Sequence, residues 1–336
     1  MKVISIKSED EGQRLDRFLR KYLPGASLSH IYKLIRKDVK VGGRRRDKAY
    51  MLAEGDELTI YIHDEELSRL MAGMQRKMPR AKRTFGIAYE DMNMLAVDKP
   101  FGLLTHGDRR EKKNHLANQV IAYLIEKEEY SPGKSGLFTP APVNRLDRNT
   151  TGLVIFGKNA KATRELARMI RNGNLRKYYM TIVRGEVDGV QELTGVLHKD
   201  ETGNTVTIID QASDAEEAFD DKGKKVITIV RPLEKMKGFT LVEVELVTGR
   251  THQIRAHLES IGHPVIGDSK YGGDVPALRA KFGLSAQLLH SARIKFEKNI
   301  EQEYETLAYL AGHEMQAPLP SEFSRVLSYL RRDRRK

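Results

Sequence analysis

Cysteine is absent from this chain of 336 residues, and that absence excludes disulfides, thiolate catalysis and cysteine-based zinc or iron-sulfur sites. No apolar run approaches the roughly 18 residues that a membrane helix requires. The first ten residues, MKVISIKSED, also lack the apolar core of a signal peptide. We therefore expect a cytoplasmic protein without membrane association, in which scattered histidines are the only soft metal ligands.

Positive charge exceeds negative charge, with 58 Lys and Arg against 46 Asp and Glu, and the excess is confined to the two ends. Residues 1–84 carry 20 basic and 12 acidic side chains, and residues 331–336 carry 5 and 1. Residues 85–330 are balanced at 33 and 33. A merely soluble surface would spread its charge more evenly, so the basic ends indicate a nucleic acid as partner.

The N-terminal part begins with apolar residues at helical spacing in two short stretches, 14–22 and 28–35, which Pro24 and Gly25 separate. An alternating strand follows at 57–62. Over about residues 12–62 this order resembles the alpha-L RNA-binding domain of ribosomal proteins, tyrosyl-tRNA synthetases and several rRNA-modifying enzymes. We expect its basic residues to face RNA phosphates: Arg14, Lys33, Arg36, Lys37, Arg44, Arg45 and Arg46.

Composition divides the chain into four predicted parts. They are an RNA-binding domain at 1–64, a linker at 65–84, a large central domain at 85–330 and a basic tail at 331–336. Within the linker, Leu67, Leu70 and Met71 have helical spacing, but Gly73 and Pro79 oppose a helix. A flexible tether is therefore the simpler interpretation of this segment.

The central domain mixes helical and strand patterns in no regular alternation. We predict strands at 95–97, 153–156, 177–183, 226–230 and 241–247, and helices at 116–125, 160–171 and 251–261. Because strands dominate and helices interrupt them irregularly, the pattern favours an α+β fold with a mostly antiparallel sheet over a doubly wound fold.

One carboxylate has an unusual setting. In the polar stretch PVNRLDRNTTG at 142–152, Asp147 lies between Arg145 and Arg148, just before an apolar strand. Nearby positive charge favours the ionised carboxylate, which makes Asp147 a candidate nucleophile. The alternative is a structural loop in which the two arginines simply pair with Asp147.

Four ordered segments of the central domain together resemble the RluA-type pseudouridine synthases. They are LAVDKPFGLLTH at 95–106, NRLDRNTTGLVIFGKN at 144–159, RKYYMTIVRG at 176–185 and TGRTHQIRAHLESIGHPVIGDSKYG at 248–272. The resemblance places the catalytic residues of that family on Asp147, Tyr179 and Arg255. Two positions depart from the pattern, with Asn144 where histidine is common and Thr151 where serine is common.

The resemblance implies a pseudouridine-synthase fold, in which a mixed, mostly antiparallel sheet carries peripheral helices and a catalytic cleft, after a small alpha-L domain. It implies isomerisation of uridine in RNA, without cofactor or metal. Asp147 would attack the sugar, attack the base or remove a sugar proton. Arg255 would pair with Asp147, while Tyr179 would stack on uracil and assist proton removal from carbon 5. We expect further substrate contacts from Arg145, Arg148, Arg250 and His252.

The alpha-L domain ahead of such a body is the arrangement of the large-subunit rRNA enzymes, and tRNA is the alternative substrate. A non-catalytic ribosome-associated RNA-binding protein would explain the basic ends but not the Asp147 loop. A nucleosidase would need a second carboxylate, which no motif identifies. Tyr179 as an ordinary strand aromatic and Arg255 as a solvated helix residue also stay open. The spacing of His252, His257 and His263 does not favour a zinc site.

Overall fold

The structure is a computed structural model that describes residues 1–72, 81–132, 137–199, 205–209 and 224–333. Its strands form a three-stranded sheet in the N-terminal part and a ten-stranded sheet in the central part. The acidic stretch 214–221 and the last three residues of the basic tail lie outside the described residues. No helix within the described ranges is long and apolar enough to span a membrane.

The N-terminal unit packs two helices against its small sheet. Ser27 begins the second helix, because its hydroxyl accepts a hydrogen bond from the His30 amide at 3.2 Å. Buried apolar side chains from both helices and all three strands form one core. In chain order the elements are β1 (Lys2–Ser5), α1 (Leu15–Tyr22), α2 (Leu28–Lys37), β2 (Val39–Val41) and β3 (Glu57–Ile60).

A helix, α3 (Asp64–Met71), occupies the start of the predicted linker. Leu67 and Leu70 are buried in the N-terminal core. Burial of these two side chains stabilises the helix, which ends before Gly73. The flexible tether expected for 65–84 is therefore wrong for 65–71, while residues 73–80 of that segment lie outside the described residues.

The large sheet has the strand order β4-β5-β6-β12-β7-β11-β10-β8-β9, with β13 added on β12. Neighbouring strands are antiparallel except β6 and β12, which are parallel. The predicted α+β fold with a mixed, mostly antiparallel sheet is thus confirmed. The strands are β4 (Gly86–Glu90), β5 (Met94–Lys99), β6 (Thr151–Gly157), β7 (Leu175–Arg184), β8 (Gln191–Lys199), β9 (Val206–Ile209), β10 (Lys224–Met236), β11 (Phe239–Leu246), β12 (Leu289–Phe296) and β13 (Glu314–Gln316).

Helices cover both faces of this sheet. The first central helix buries Val120 and Leu124 on one face, and the second buries Leu166 and Met169 on the other. The last helix buries Phe323 and its neighbours in a third apolar cluster. It therefore belongs to the folded core, even though residues 303–330 resemble no segment of the family. The helices are α4 (Leu116–Glu126), α5 (Ala160–Asn172), α6 (Gln253–Ser260), α7 (Pro276–Phe282) and α8 (Ser321–Asp333).

The parallel contact of β6 with β12 depends on Gly152. This residue has φ 102°, a conformation that side chains disfavour, and a Cβ atom there would collide with the Ser291 carbonyl oxygen. Close approach of the two strands brings the Asp147 loop, which precedes β6, next to the strands β12 and β7. The sheet thereby assembles residues that are distant in sequence at one site.

Candidate active site

A cavity of about 910 Å³ opens at the point where these elements meet. Its walls come from the Asp147 loop, β7, the end of β11, the start of α6 and the loop that follows α6. All seven side chains predicted for catalysis or substrate contact line this cavity, so the structure brings them together: Asp147, Tyr179, Arg255, Arg145, Arg148, Arg250 and His252.

Hydrogen bonds hold the Asp147 loop at two places. The Asn144 amide donates to the Leu153 carbonyl at 3.1 Å, and its oxygen accepts from the Ile155 amide at 2.8 Å, so Asn144 binds the backbone of β6. The Thr105 hydroxyl donates to the backbone carbonyl of Leu146 at 2.9 Å and accepts from the backbone amide of Leu146 at 3.2 Å. Asn144, which replaces the common histidine, thus has a backbone-anchoring function here.

Arg255 is the ion-pair partner of Asp147. It extends from α6, is only 5% exposed, and its Nη1 lies 3.2 Å from Oδ2 of Asp147. Its other nitrogens bind Asp268 in a fork, with Nε 2.6 Å and Nη2 2.8 Å from the two carboxylate oxygens. The alternative of a solvated helix residue is therefore wrong for Arg255.

Asp268 is a functional candidate that the sequence reasoning missed. It is 2% exposed and holds the guanidinium of Arg255 in a bidentate contact that fixes its plane. Burial is the largest single influence on the pKa of Arg255 and lowers it, but the hydrogen bonds and negative charges of Asp268 and Asp147 together raise that pKa. The signal was present in the segment GDSKYG, whose aspartate had no assigned function.

The flanking arginines do not neutralise Asp147. Arg145 and Arg148 are both exposed, and within the described part of the chain neither lies at ion-pair distance from it. The Asp147 side chain keeps 30% of its surface exposed to the cavity side of the loop. The interpretation of a purely structural Arg-Asp-Arg loop is therefore not supported by the geometry.

His252 begins α6 in a left-handed backbone conformation, with φ 56°. For a residue with a side chain this conformation costs about 1–2 kcal/mol. Its Nε2 lies 3.8 Å from Asp147, and its Nδ1 is 3.0 Å from the hydroxyl of Tyr271. Burial lowers the pKa of His252, so the imidazole is neutral at pH 7. Tyr271 also contacts the guanidinium of Arg255, 4.8 Å from its ring centre.

Gln253 shapes the turn between β11 and α6. Its side-chain oxygen accepts from the Thr248 hydroxyl at 2.9 Å and from the Arg250 amide at 3.1 Å. Its side-chain nitrogen donates to the Ile227 carbonyl and to Thr228, each at 2.9 Å. These four bonds fix the turn that presents Arg250 and His252 to the cavity.

Tyr179 is buried on β7, where Ser291 of β12 and Val244 of β11 are its cross-strand neighbours. Burial raises the pKa of the Tyr179 phenol, and a hydrogen bond with Ser291 opposes this shift only in part. The phenol is therefore protonated at neutral pH. Tyr179 lines the cavity, and its phenol must lose its proton before it can act as a base.

Lys99, to which the sequence analysis assigned no function, joins two loops of the site. Its buried ammonium donates to the carbonyl oxygens of Pro100 at 3.1 Å, Leu103 at 2.7 Å and Arg148 at 3.0 Å. Burial lowers the pKa of Lys99 to about 7, although Asp147 and Asp98 oppose that shift. Lys99 thereby anchors the residue that follows Asp147.

The predicted RNA-binding residues of the N-terminal unit are exposed, apart from Arg14. The Lys48 ammonium lies 4.9 Å from the ring centre of Tyr32, so the segment after β2 contacts α2. Arg14 is partly buried and pairs with Asp16 at 2.9 Å.

The three histidines of the last family segment have separate partners. His252 contacts Tyr271, His257 contacts Thr228 at 2.7 Å, and His263 contacts the Arg184 carbonyl at 2.9 Å. Among the described residues, no group of three or more potential metal ligands is present.

Comparison with known proteins gives consistent results. Residues 93–260 match the family model described as RNA pseudouridylate synthase. Over 306 residues the chain is 32% identical to "Ribosomal large subunit pseudouridine synthase C" of Escherichia coli (strain K12), covering 88% of each chain. Over 335 residues it is 29% identical to "Uncharacterized RNA pseudouridine synthase YlyB" of Bacillus subtilis (strain 168), covering 98% of each.

Among solved structures, "Human RNA Pseudouridylate Synthase Domain Containing 4" superposes with a TM-score of 0.55. The match covers 73% of this chain and 93% of the human chain at 19% sequence identity. At that identity the similarity supports the fold of the central part alone.

Proposed function

The chain belongs to the RNA pseudouridylate synthase family, of the RluA type, and we propose that it isomerises specific uridines in large-subunit ribosomal RNA with Asp147 as the nucleophile. The observation that carries the proposal is the cavity in which Arg255, held by Asp268, contacts Asp147. The relatives named as large-subunit synthases, with similar length and near-complete coverage, support ribosomal RNA as the substrate.

The reaction breaks the bond between ribose carbon 1′ and uracil nitrogen 1, and it forms a bond from carbon 1′ to uracil carbon 5. The proton of carbon 5 leaves, and nitrogen 1 gains one, so no redox partner is required. Attack on the ribose, attack on carbon 6 and removal of the 2′ proton all begin from an ionised carboxylate. Arg255 supplies a fixed cation beside this carboxylate.

The dimensions and lining of the cavity suit a uridine that has left the RNA stack. A volume of about 910 Å³ accommodates a nucleotide. Extrusion of a base costs about a few kcal/mol and less where the RNA is single-stranded, so loops are the favoured targets. The Tyr179 ring compensates part of this cost by stacking on the uracil, while Arg145, Arg148 and Arg250 contact the RNA at the rim.

The N-terminal unit, taken as an alpha-L RNA-binding domain at 1–64, supplies affinity for the phosphate backbone. Its exposed basic residues on α2 and after β2 support this assignment. Such contacts orient an RNA but carry little sequence information. Selection of the uridine would then depend on the shape of the RNA around the cavity.

The test uses an unmodified transcript of large-subunit rRNA, incubated with the wild type or with Asp147→Asn. Carbodiimide treatment followed by primer extension then maps pseudouridine as stops. We expect stops from the wild type and none from Asp147→Asn. If folded wild-type protein binds the transcript but produces no stop, the large-subunit assignment is wrong, and stops in unmodified tRNA would identify tRNA as the substrate.

A further inference from the structure

Lys177, near the start of β7, is a buried cation that the proposed chemistry does not use. It is 5% exposed and lines the active-site cavity. Among the residues that the structure describes, its ammonium has no hydrogen-bond or ion-pair partner. An uncompensated charge in this position is costly to the folded protein, so the residue is a candidate for contact with a ligand.

The position of Lys177 relates it directly to Tyr179. The two residues are separated by one residue on the same strand, so their side chains share a face of the sheet about 6.6 Å apart. The Lys177 ammonium lies beneath the turn after β11, because a Cβ atom on Gly249 would be 3.4 Å from its Nζ. The exposed side chains of Arg171 and Arg250 also line the cavity.

The charges around the cavity favour an anionic ligand. Its lining contains seven Lys or Arg residues and three Asp residues. Two of the aspartates, Asp147 and Asp268, pair with Arg255, and neither forms an ion pair with Lys177. Burial lowers the pKa of Lys177 to about 8, so the side chain is still mainly protonated at pH 7.

We infer that Lys177 binds the phosphodiester adjacent to the flipped uridine, an inference that rests on the proposed function. The phosphodiester is the group of RNA that carries a full negative charge. A uracil carbonyl would give Lys177 a hydrogen bond but would not neutralise it. With uracil against Tyr179 and its ribose at Asp147, a flanking phosphate lies within reach of the neighbouring lysine.

The first measurement compares the thermal stability of Lys177→Met and Lys177→Arg with the wild type. Lys298→Met is the matched control, because Lys298 is exposed and lies outside the cavity lining. Methionine retains most of the apolar stem and removes the unpaired charge, so the Tm of Lys177→Met should equal or exceed that of the wild type. A clear fall in Tm would identify Lys177 as a structural residue and overturn the inference.

The second measurement is the salt dependence of binding to the unmodified rRNA transcript. Loss of one phosphate contact should reduce the slope of log affinity against log salt by about 0.7, the value for a single strand. Lys177→Met should show this change together with a KM raised about tenfold, as expected for one charge-assisted hydrogen bond. Lys177→Arg should restore the slope, and Lys298→Met should leave it unchanged.

A synthetic RNA loop then identifies the group that Lys177 contacts. The loop contains the uridine mapped in the transcript, and one flanking phosphate is replaced by a neutral methylphosphonate, first on one side and then on the other. At one of the two positions, replacement should weaken wild-type binding about tenfold but should not weaken binding by Lys177→Met any further. Equal losses in both proteins at both positions would overturn the phosphodiester assignment.

The two proposals can fail separately. Pseudouridine stops from the wild type, with Lys177→Met indistinguishable from it in KM and salt slope, would overturn only the inference about Lys177. An absence of pseudouridine with intact RNA binding would instead overturn the proposed function.

Discussion

The basic residues of the N-terminal unit and Arg255 of the cavity have opposite settings. Those on α2 and after β2 are exposed, and their partners are solvent or single aromatic rings. In the cavity, Arg255 is enclosed and bound by two aspartates. Exposed charges act at long range and are screened by salt, whereas a buried pair is oriented and screened much less. Under the proposed function, residues of the same type would therefore serve RNA capture in one region and chemistry in the other.

The largest effect is expected at Asp268, the buried partner of Arg255. Asp268→Asn removes the buried counter-charge of Arg255, and removal of one partner from a buried pair costs about 3–5 kcal/mol. We expect a lower Tm and, in assays well below that Tm, a kcat reduced about 100-fold with little change in KM. Asp268→Glu should recover part of kcat. Wild-type kcat in Asp268→Asn would show that Asp268 does not position Arg255.

Substitutions of the exposed arginines of the N-terminal unit should change RNA affinity rather than kcat. Replacing Arg44, Arg45 and Arg46 together by glutamine should reduce the salt slope of RNA binding by about 2, since each lost phosphate contact removes about 0.7. The kcat at saturating RNA should not change, because these residues lie outside the cavity. An unaltered salt slope, or a reduced kcat with normal affinity, would contradict the separation of capture from chemistry.

The smallest expected effect concerns Lys99 and the pH dependence of stability. Its pKa is lowered to about 7 in the folded protein, so between pH 7 and its ordinary value the unfolded chain binds more protons. The free energy of unfolding should therefore rise with pH. Lys177, with a pKa of about 8, adds to this rise mainly at higher pH. From pH 7 to pH 8, the free energy of unfolding of Lys99→Met should rise less than that of the wild type, by on the order of 1 kcal/mol.

Denaturant unfolding at closely spaced pH values measures that increase. The control is Lys298→Met, because Lys298 is exposed. An identical pH slope in the wild type and Lys99→Met would mean that Lys99 remains protonated in the folded protein throughout this range.

The sequence predicted some of the regular elements because their patterns are local, but it did not predict β4, β8, β9, β12, β13, α7 or α8. The helices at 160–171 and 116–125 and the strand at 177–183 were found within a few residues of their bounds in the structure. The tether at 65–71 was wrong because burial of Leu67 and Leu70 is a tertiary effect. The local sequence pattern of 65–71 does not show that this helix packs into the core of the N-terminal unit.

For the site, motif resemblance located Asp147, Tyr179 and Arg255, and the structure brings them together. It did not predict that Asp268 would hold Arg255, or that Lys99 would bind three carbonyls. Asp268 lies 13 residues from Arg255 in a loop without regular periodicity, and the Arg148 carbonyl lies 49 residues from Lys99. Charged residues usually lie in solvent, so their pattern in the sequence does not indicate such buried contacts. Recognising such partners requires the packed structure.

The central claim is that the carboxylate of Asp147 drives isomerisation in large-subunit rRNA, and the departure of hydrogen from carbon 5 reports this reaction directly. The measurement uses an unmodified transcript tritiated at carbon 5 of its uridines, with release of tritium and of free uracil followed together. We expect the wild type to release tritium without uracil, and we expect Asp147→Asn to release neither while retaining its fold and RNA affinity. Tritium release by Asp147→Asn at the wild-type rate, or uracil release by the wild type, would contradict the account.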